Sequence, residues 1–127
     1  MRLLLDTQAL LWWLGQLPQL GPEARRAIGR PDASVYVSAV SACEISIKHA
    51  KGKLQAPDDL AAQVAANDFI ELPLTLHHGL ELAQLPAHHG DPFDRMLVAQ
   101  TRVEGLTLVT SDRVLDSYRV PILPAGS

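Results

Sequence analysis

Short runs of consecutive apolar residues recur along this chain, each bounded by a polar residue, a glycine or a proline. Such runs are typical of strands in a sheet with both faces covered, because neither face then needs polar side chains. Their lengths also favour strands over helices. We predict strands at residues 2–5, 34–38, 69–72, 106–109 and 120–123.

The segments between these runs carry the end signals of helices. Pro22 and Glu23 mark a helix start, Pro86 stops another helix, and Gly105 stands just past the end of a third. We predict helices at residues 7–14, 22–30, 41–49, 58–68, 75–85 and 92–104, and a short helix before the last strand. Alternating strands and helices imply parallel pairing, so the predicted fold is α/β, a three-layer α/β/α sandwich with a mostly parallel central sheet.

The composition limits what the chain does. With 127 residues, 47% of them hydrophobic, we expect residues 1–127 to form one domain with a sizeable core. A net charge of −3 argues against a broad basic surface, so bound nucleic acid would need a local cation. Cys43 is the single cysteine, which excludes an internal disulfide. No apolar stretch reaches the roughly 18–20 residues of a membrane span, so we expect a cytoplasmic protein without membrane attachment.

Four acidic residues, far apart in sequence, fall where strands end and helices begin. Asp6 directly follows the first strand, and Asp112 comes just after the fourth. Glu44 and Asp94 each lie in the first turn of a predicted helix. Ligands of open parallel sheets bind beyond the carboxyl ends of the strands. We therefore expect these four acids to meet at one edge of the sheet.

Each acid also has a structural explanation when it is taken alone, because carboxylates accept hydrogen bonds from free N–H groups at helix starts. Ser41 and Glu44 have the spacing of a capping box, and Lys48 is placed to pair with Glu44 one turn later. Asp91 is suited to cap the helix that follows it, with Asp94 as a further acid in the first turn. The two remaining acids could be caps as well.

Taken together, the four carboxylates need another explanation, since like charges repel each other and lose hydration when they meet. A divalent cation would neutralise them. Oxygen ligands favour Mg²⁺ or Mn²⁺ over Zn²⁺, and Mg²⁺ typically joins protein carboxylates to a substrate phosphate. That chemistry is typical of phosphodiester hydrolysis, in which the metal orients and acidifies a water molecule. In this interpretation Asp91 caps its helix while Asp94 faces the metal.

Four segments occur in a characteristic order: LLLDTQALLWWL, VSAVSACEISIKHAKGKL, HHGDPFDRMLVAQ and LTLVTSD. Together they resemble the successive motifs of PIN-domain proteins, most closely the VapC-type toxin ribonucleases of bacterial toxin–antitoxin pairs. The resemblance extends over residues 2–121. It implies a PIN-like α/β/α fold and Mg²⁺- or Mn²⁺-dependent cleavage of RNA phosphodiester bonds.

The resemblance assigns metal binding and catalysis to four acids: Asp6, Glu44, Asp94 and Asp112. Asp112 matches the more variable fourth acid of the family, and Thr110 matches the small polar residue often beside it. Asp116 lies close to Asp112, so the choice between them for the fourth acid stays open. Relatives often carry Trp before the motif glutamate, where this chain has Cys43, which we interpret as a packing change.

Partners follow from the same resemblance and from one apolar helix. The resemblance implies an RNA substrate, a small VapB-like antitoxin that occludes the site, and a homodimer. Trp12, Trp13 and their leucine neighbours exceed one core-facing stripe of a short helix. We therefore expect another chain, either a second copy or the antitoxin, to cover part of that helix.

Three further residues are candidates for substrate binding: Thr110, Arg95 and Lys48. Arg95 adjoins Asp94 and could touch a phosphate or form a structural ion pair. Lys48 could contact the RNA backbone or be a solvated cation near a helix end. The histidine pairs at 77–78 and 88–89 do not predict a zinc site, because neighbours on a helix point about 100° apart, so we expect surface or loop positions for them.

The preferred interpretation is thus a metal-dependent endoribonuclease, the toxin of a toxin–antitoxin pair. The main alternative is a non-catalytic PIN-fold module that binds RNA or another protein. Four intact acids argue against that alternative, because a binding module has no reason to keep carboxylates that repel each other. A phosphoryl-transfer domain is a further alternative, but DTQA lacks the second aspartate of a D-x-D phosphatase motif.

Overall fold

Five parallel strands form the central sheet in the computed structural model, which describes residues 1–87 and 90–127. They are β1 (Arg2–Leu5), β2 (Ser34–Ser38), β3 (Ile70–Leu72), β4 (Thr107–Thr110) and β5 (Ile122–Pro124). Their order across the sheet is β3-β2-β1-β4-β5, and every neighbouring pair is parallel. Helices cover the sheet, so the predicted three-layer α/β/α sandwich is confirmed.

The described part of the chain contains six α-helices and two 3-10 helices. The α-helices are α1 (Thr7–Leu14), α2 (Pro22–Gly29), α3 (Ala39–Ala50), α4 (Leu60–Ala66), α5 (Leu76–Glu81) and α6 (Pro92–Glu104). The 3-10 helices are Leu82–Gln84 and Arg113–Tyr118. Gly105 ends α6 at a φ of 66°, a left-handed conformation that glycine adopts without steric cost. Within the described ranges, none of these helices has the length and apolar character needed to cross a membrane.

The central strand β1 divides the interior into two hydrophobic cores. Leu3 and Leu5 pack into one core with residues of α1 and α2, whereas Leu4 packs into the other with residues of α6. This division follows from the alternation of side chains along a strand. All three leucines are fully buried. Because β1 is flanked by β2 and β4, Asp6 emerges at the middle of the sheet's carboxyl end.

The predicted start of α3 is wrong by two residues. Ser38 caps this helix, because its hydroxyl oxygen accepts a hydrogen bond from the Val40 N–H at 2.9 Å, and α3 begins at Ala39. The predicted capping box of Ser41 and Glu44 is therefore wrong. Glu44 lies in the second turn of α3 and not in the first, so capping does not explain why an acid stands there.

Smaller differences occur elsewhere. β4 and β5 each extend one residue past their predicted ends, α4 is shorter than residues 58–68, and the predicted helix at 75–85 divides into α5 and a 3-10 helix. His78 was expected at the surface or in a loop, but it is completely buried. The loop positions predicted for His88 and His89 lie outside the described residues.

The apolar residues of α1 are largely covered by the chain itself. The ring centroids of Trp13 and Phe69 are 6.1 Å apart, and Trp13 Nε1 donates a hydrogen bond to Asn67 Oδ1 at 2.9 Å. Trp12 and Leu14 pack partly buried against the same core. Internal packing thus explains most of the apolar surface for which we expected another chain.

Candidate active site

Asp6 lies at the end of β1 and caps α1. Its Oδ1 accepts a hydrogen bond from the Ala9 N–H at 2.7 Å, and the side chain is shielded so well that the residue is only 6% exposed. The pKa of Asp6 is raised from 3.8 to about 6, mainly by burial. Hydrogen bonds from Thr110 and Ala9 lower this pKa but do not offset the effect of burial. The charges of Glu44 and Asp112 raise this pKa further. The fold therefore keeps a carboxyl group where its ionisation is disfavoured.

Glu44 reaches the same region from α3 and is almost as buried as Asp6. Thr7 Oγ1 donates a hydrogen bond to Glu44 Oε1 at 2.5 Å, and the hydroxyl oxygens of Thr7 and Ser41 are 3.0 Å apart. Lys48, one helical turn later, forms an ion pair with Glu44 Oε2. Both carboxylate oxygens of Glu44 therefore have a partner, and the predicted pairing with Lys48 is confirmed.

Asp112 approaches from the loop after β4, where Thr110 connects it to Asp6. Thr110 Oγ1 accepts a hydrogen bond from the Asp112 N–H at 3.1 Å, and the Thr110 side chain also bonds to Asp6. Asp112 caps the following 3-10 helix by accepting from the Val114 N–H at 3.0 Å. The charge of Asp112 acts on Asp6, and Asp116 is exposed one turn further on. The choice of Asp112 as the fourth acid stays a prediction.

Asp94 lies in the first turn of α6, and Asp91 caps that helix. Asp91 Oδ1 accepts hydrogen bonds from the N–H groups of Phe93 at 2.8 Å and Asp94 at 3.2 Å, as predicted. Asp94 is half-buried, and the charges of Asp91 and Asp94 contribute to raising the pKa of Lys48. Asp94 therefore lies within electrostatic reach of the lysine that pairs with Glu44.

We refer to Asp6, Glu44, Asp94 and Asp112 as the acid cluster. As these side chains stand, no three His, Cys, Asp or Glu residues of the described ranges are close enough to hold a metal ion. The chemistry of the donors nevertheless fits Mg²⁺ or Mn²⁺, because carboxylate oxygens are their preferred protein ligands. A cation would also relieve the disfavoured ionisation at Asp6. Binding would require members of the acid cluster to move closer together.

The three predicted substrate contacts differ in what the structure shows. Thr110 lies within the acid cluster's hydrogen bonds, and Lys48 pairs with Glu44. Arg95 instead donates hydrogen bonds to the Pro86 carbonyl at 2.9 Å and the Tyr118 hydroxyl at 3.1 Å. These contacts give Arg95 a structural role, although not the predicted ion pair, and its contact with the substrate stays a prediction.

Thr7 and Ser41 are site residues that sequence reasoning missed. Both are buried, and Thr7 fixes the orientation of Glu44 across the gap between α1 and α3. The available signal was the position of Thr7 directly after Asp6, because the first turn of a helix that follows a strand lies at the carboxyl edge of the sheet. Ser41 was misread as a cap, since its spacing to Glu44 fits a capping box equally well.

Comparison with known proteins identifies the family of this chain. A sequence model of the PIN domain matches residues 3–121. The chain belongs to the PIN-domain family. Among its relatives is Ribonuclease VapC22 of Mycobacterium tuberculosis (strain ATCC 25618 / H37Rv), which is 30% identical over 121 residues, covering 93% of this chain and 92% of the relative.

Solved structures show the same PIN fold at low sequence identity. The VapBC2 complex of Rickettsia felis, bound to a DNA fragment from its promoter, superimposes with a TM-score of 0.72 at 11% identity, covering 97% of this chain and 98% of that chain. The DNA-bound VapBC of Salmonella typhimurium gives a TM-score of 0.68 at 17% identity and covers 97% of each chain. At these identities the likeness establishes the fold alone.

Proposed function

We propose that this PIN-domain protein is a metal-dependent endoribonuclease of the VapC type, the toxin component of a toxin–antitoxin pair. The observation that carries the proposal is the buried carboxyl group of Asp6, whose pKa of about 6 reflects burial beside Glu44 and Asp112. Burying this carboxylate beside other acids costs stability unless a cation neutralises it. The similarity to Ribonuclease VapC22 supports RNA as the substrate.

The acid cluster would hold Mg²⁺ or Mn²⁺, and Thr7 and Thr110 keep two of its members in place. Thr7 orients Glu44 through its 2.5 Å hydrogen bond, and Thr110 bridges Asp6 and the backbone of Asp112. When bound, the metal would polarise the phosphodiester and acidify an attacking water. The charge of −3 makes such a local cation the means of attracting RNA phosphates to an acidic protein.

Partners and location belong to the same proposal. The similar solved structures are complexes named VapBC2 and VapBC, which supports a small VapB-like antitoxin as the partner of this chain. An antitoxin would act by covering the acid cluster. We further propose a homodimer and a cytoplasmic location, where RNA and Mg²⁺ are both present.

The proposal is tested by incubating the purified full chain with a pool of structured RNAs in Mg²⁺, in Mn²⁺ and in EDTA. We expect discrete fragments that require the metal. Asp6→Asn and Asp94→Asn should each reduce cleavage by about a hundredfold or more, because each removes a ligand that supplies several kcal/mol of transition-state stabilisation. Asp58→Asn, which changes an exposed acid far from the cluster in sequence, is the matched control.

The same assay decides between the two candidates for the fourth acid. Asp112→Asn should lower the cleavage rate more than Asp116→Asn, since the charge of Asp112 contributes to raising the pKa of Asp6. Fragments that persist in EDTA would contradict metal dependence. An absence of cleavage, combined with tight RNA binding by the wild type and by Asp94→Asn alike, would favour the non-catalytic binding module.

A further inference from the structure

Lys48 is placed unlike an ordinary surface lysine. It stands on α3 one turn after Glu44, and its ammonium group pairs with Glu44 Oε2. The Glu44 side chain is only 9% exposed and the Lys48 side chain 37%, so the pair is partly shielded from water. A partly buried pair of this kind is screened less than an exposed one.

The surroundings of Lys48 are acidic on more than one side. Its Nζ lies 5.9 Å from the centre of the Phe93 ring, in the first turn of α6. The hydrogen bond with Glu44 raises the pKa of Lys48 against the effect of burial, and the charges of Glu44, Asp91 and Asp94 add to the rise. The ammonium group therefore lies between α3 and the first turn of α6, in contact with Glu44 and within electrostatic reach of Asp94.

This placement affects what Glu44 is able to bind. Thr7 bonds to Oε1 of Glu44 and Lys48 to Oε2, so both oxygens are engaged. A divalent cation that binds Oε2 must replace Lys48 there or share that oxygen with it, and a cation that binds Oε1 would still lie on the same carboxylate as the ammonium group. Sharing would bring an ammonium group close to a dication, which like-charge repulsion disfavours.

We propose that Lys48 is the resident counter-cation of the acid cluster and competes with the divalent metal for Glu44. This inference rests on the proposed function, because it needs the acid cluster to be a metal site. Lys48 balances charge while no metal is bound, and its long side chain withdraws when the metal arrives. The lysine thereby sets the metal concentration at which the site fills.

The test is calorimetric titration of the full chain with MnCl₂, in the absence of RNA and near neutral pH. Lys48→Met keeps most of the side-chain length without the charge, and we expect it to bind Mn²⁺ about tenfold more tightly than the wild type. Lys48→Arg should stay close to the wild type. Lys51→Met, which removes an exposed charge at the end of the same helix, is the matched control and should also bind like the wild type.

The possible outcomes separate this inference from the proposed function. Equal or weaker Mn²⁺ binding by Lys48→Met, with clear binding by the wild type, would overturn the competition and leave the metal site intact. If Lys48→Met and Lys51→Met bind Mn²⁺ more tightly by the same factor, the change in net charge explains the effect. That result would also overturn the proposed competition. If neither the wild type nor Lys48→Met binds Mn²⁺ while both melt cooperatively, the metal-dependent function itself is wrong.

Discussion

Two buried polar clusters lie in this small domain, and they are built on opposite principles. The first, which we call the Gln100 network, consists of Ser38, His78 and Gln100, all at most 1% exposed. Ser38 donates to Gln100 Oε1, and Gln100 Nε2 donates to the Pro73 carbonyl at 3.2 Å. Donors and acceptors are matched, so the network joins α3, α5 and α6 without burying an unbalanced charge.

His78 completes the Gln100 network at its other end. Its Nδ1 accepts a hydrogen bond from the Thr75 N–H at 3.0 Å, which leaves Nε2 to donate to the Glu104 carboxylate at 2.8 Å. Within the described residues, no buried side-chain nitrogen or oxygen lacks a hydrogen-bond partner. A buried network in which every group is paired stabilises and specifies a fold.

The acid cluster is also hydrogen-bonded, but it holds a carboxyl group whose ionisation is disfavoured. Burial and the charges of Glu44 and Asp112 raise the pKa of Asp6, and Lys48 pairs with Glu44. We interpret the Gln100 network as structural and the acid cluster as functional. Hydrogen bonding alone does not distinguish them, whereas the raised pKa of Asp6 does, because perturbed carboxyl groups of this kind are typical of functional sites.

Breaking the Gln100 network should produce the largest change in stability. Gln100→Leu removes the hydrogen bonds that Gln100 makes with the Ser38 hydroxyl and the Pro73 carbonyl, so we expect the free energy of unfolding to fall by about 2–4 kcal/mol. Urea denaturation measures this loss. Gln19→Leu, at an exposed position, should change stability by less than about 0.5 kcal/mol. A loss equally small for Gln100→Leu would show that the network is not structural.

Neutralising Asp6 should have the opposite sign. Asparagine keeps the oxygen that caps α1 but carries no charge, so Asp6→Asn should raise the free energy of unfolding of the metal-free protein at neutral pH. A pKa of about 6 against an ordinary value of 3.8 sets an upper limit of about 3 kcal/mol on the gain. Denaturation in metal-free buffer measures it. A destabilised variant would contradict the picture of a strained charge.

The gain at Asp6 should depend on pH in a defined direction. Because the pKa of Asp6 is raised in the folded state, the unfolded chain loses its proton first, and this residue's contribution to stability falls as pH rises from about 4 to about 6. The free energy of unfolding of Asp6→Asn should therefore exceed that of the wild type only slightly at pH 4, and the excess should grow up to pH 6 and then level off. An excess that is constant across this range would show that packing, and not the charge of Asp6, causes the gain.

The smallest effect is expected at Thr7. Thr7→Val removes the hydroxyl that bonds to Glu44 while keeping the side-chain shape, so stability should fall by about 1 kcal/mol. Thr7→Ser restores the hydroxyl and should recover most of the loss. Thermal melting of the three proteins provides the comparison. If Thr7→Ser melts like Thr7→Val, the lost methyl packing and not the hydrogen bond is responsible.

The sequence predicted the fold well because its signals were local. Apolar runs located every strand within two residues, Asp91 was recognised as the cap of α6, and Gly105 ended that helix as expected. The start of α3 was misplaced because Ser38 and Ser41 both suit a cap, and only the backbone distinguishes them. When two serines close in sequence both suit the cap position, the sequence does not determine where the helix begins.

What the sequence missed depends on contacts between distant segments. Nothing local indicates that Thr7 bonds to Glu44, 37 residues away. The same holds for the electrostatic interaction of Lys48 on α3 with Asp94 on α6. The burial of His78 was missed because its partner Glu104 lies on another helix. The four predicted acids were placed at the same end of the sheet by topology alone, and their roles as metal ligands stay predictions.

The most direct test of the account is thermal melting with and without millimolar Mn²⁺, for the wild type, Asp94→Asn and Asp58→Asn. A ligand present at a hundred times its dissociation constant stabilises the folded state by about 2.7 kcal/mol. We predict that Mn²⁺ raises the melting temperature of the wild type and of Asp58→Asn, and that Asp94→Asn loses this rise. An equal rise in all three proteins, or no rise in the wild type, would contradict the claim that the acid cluster is a metal site.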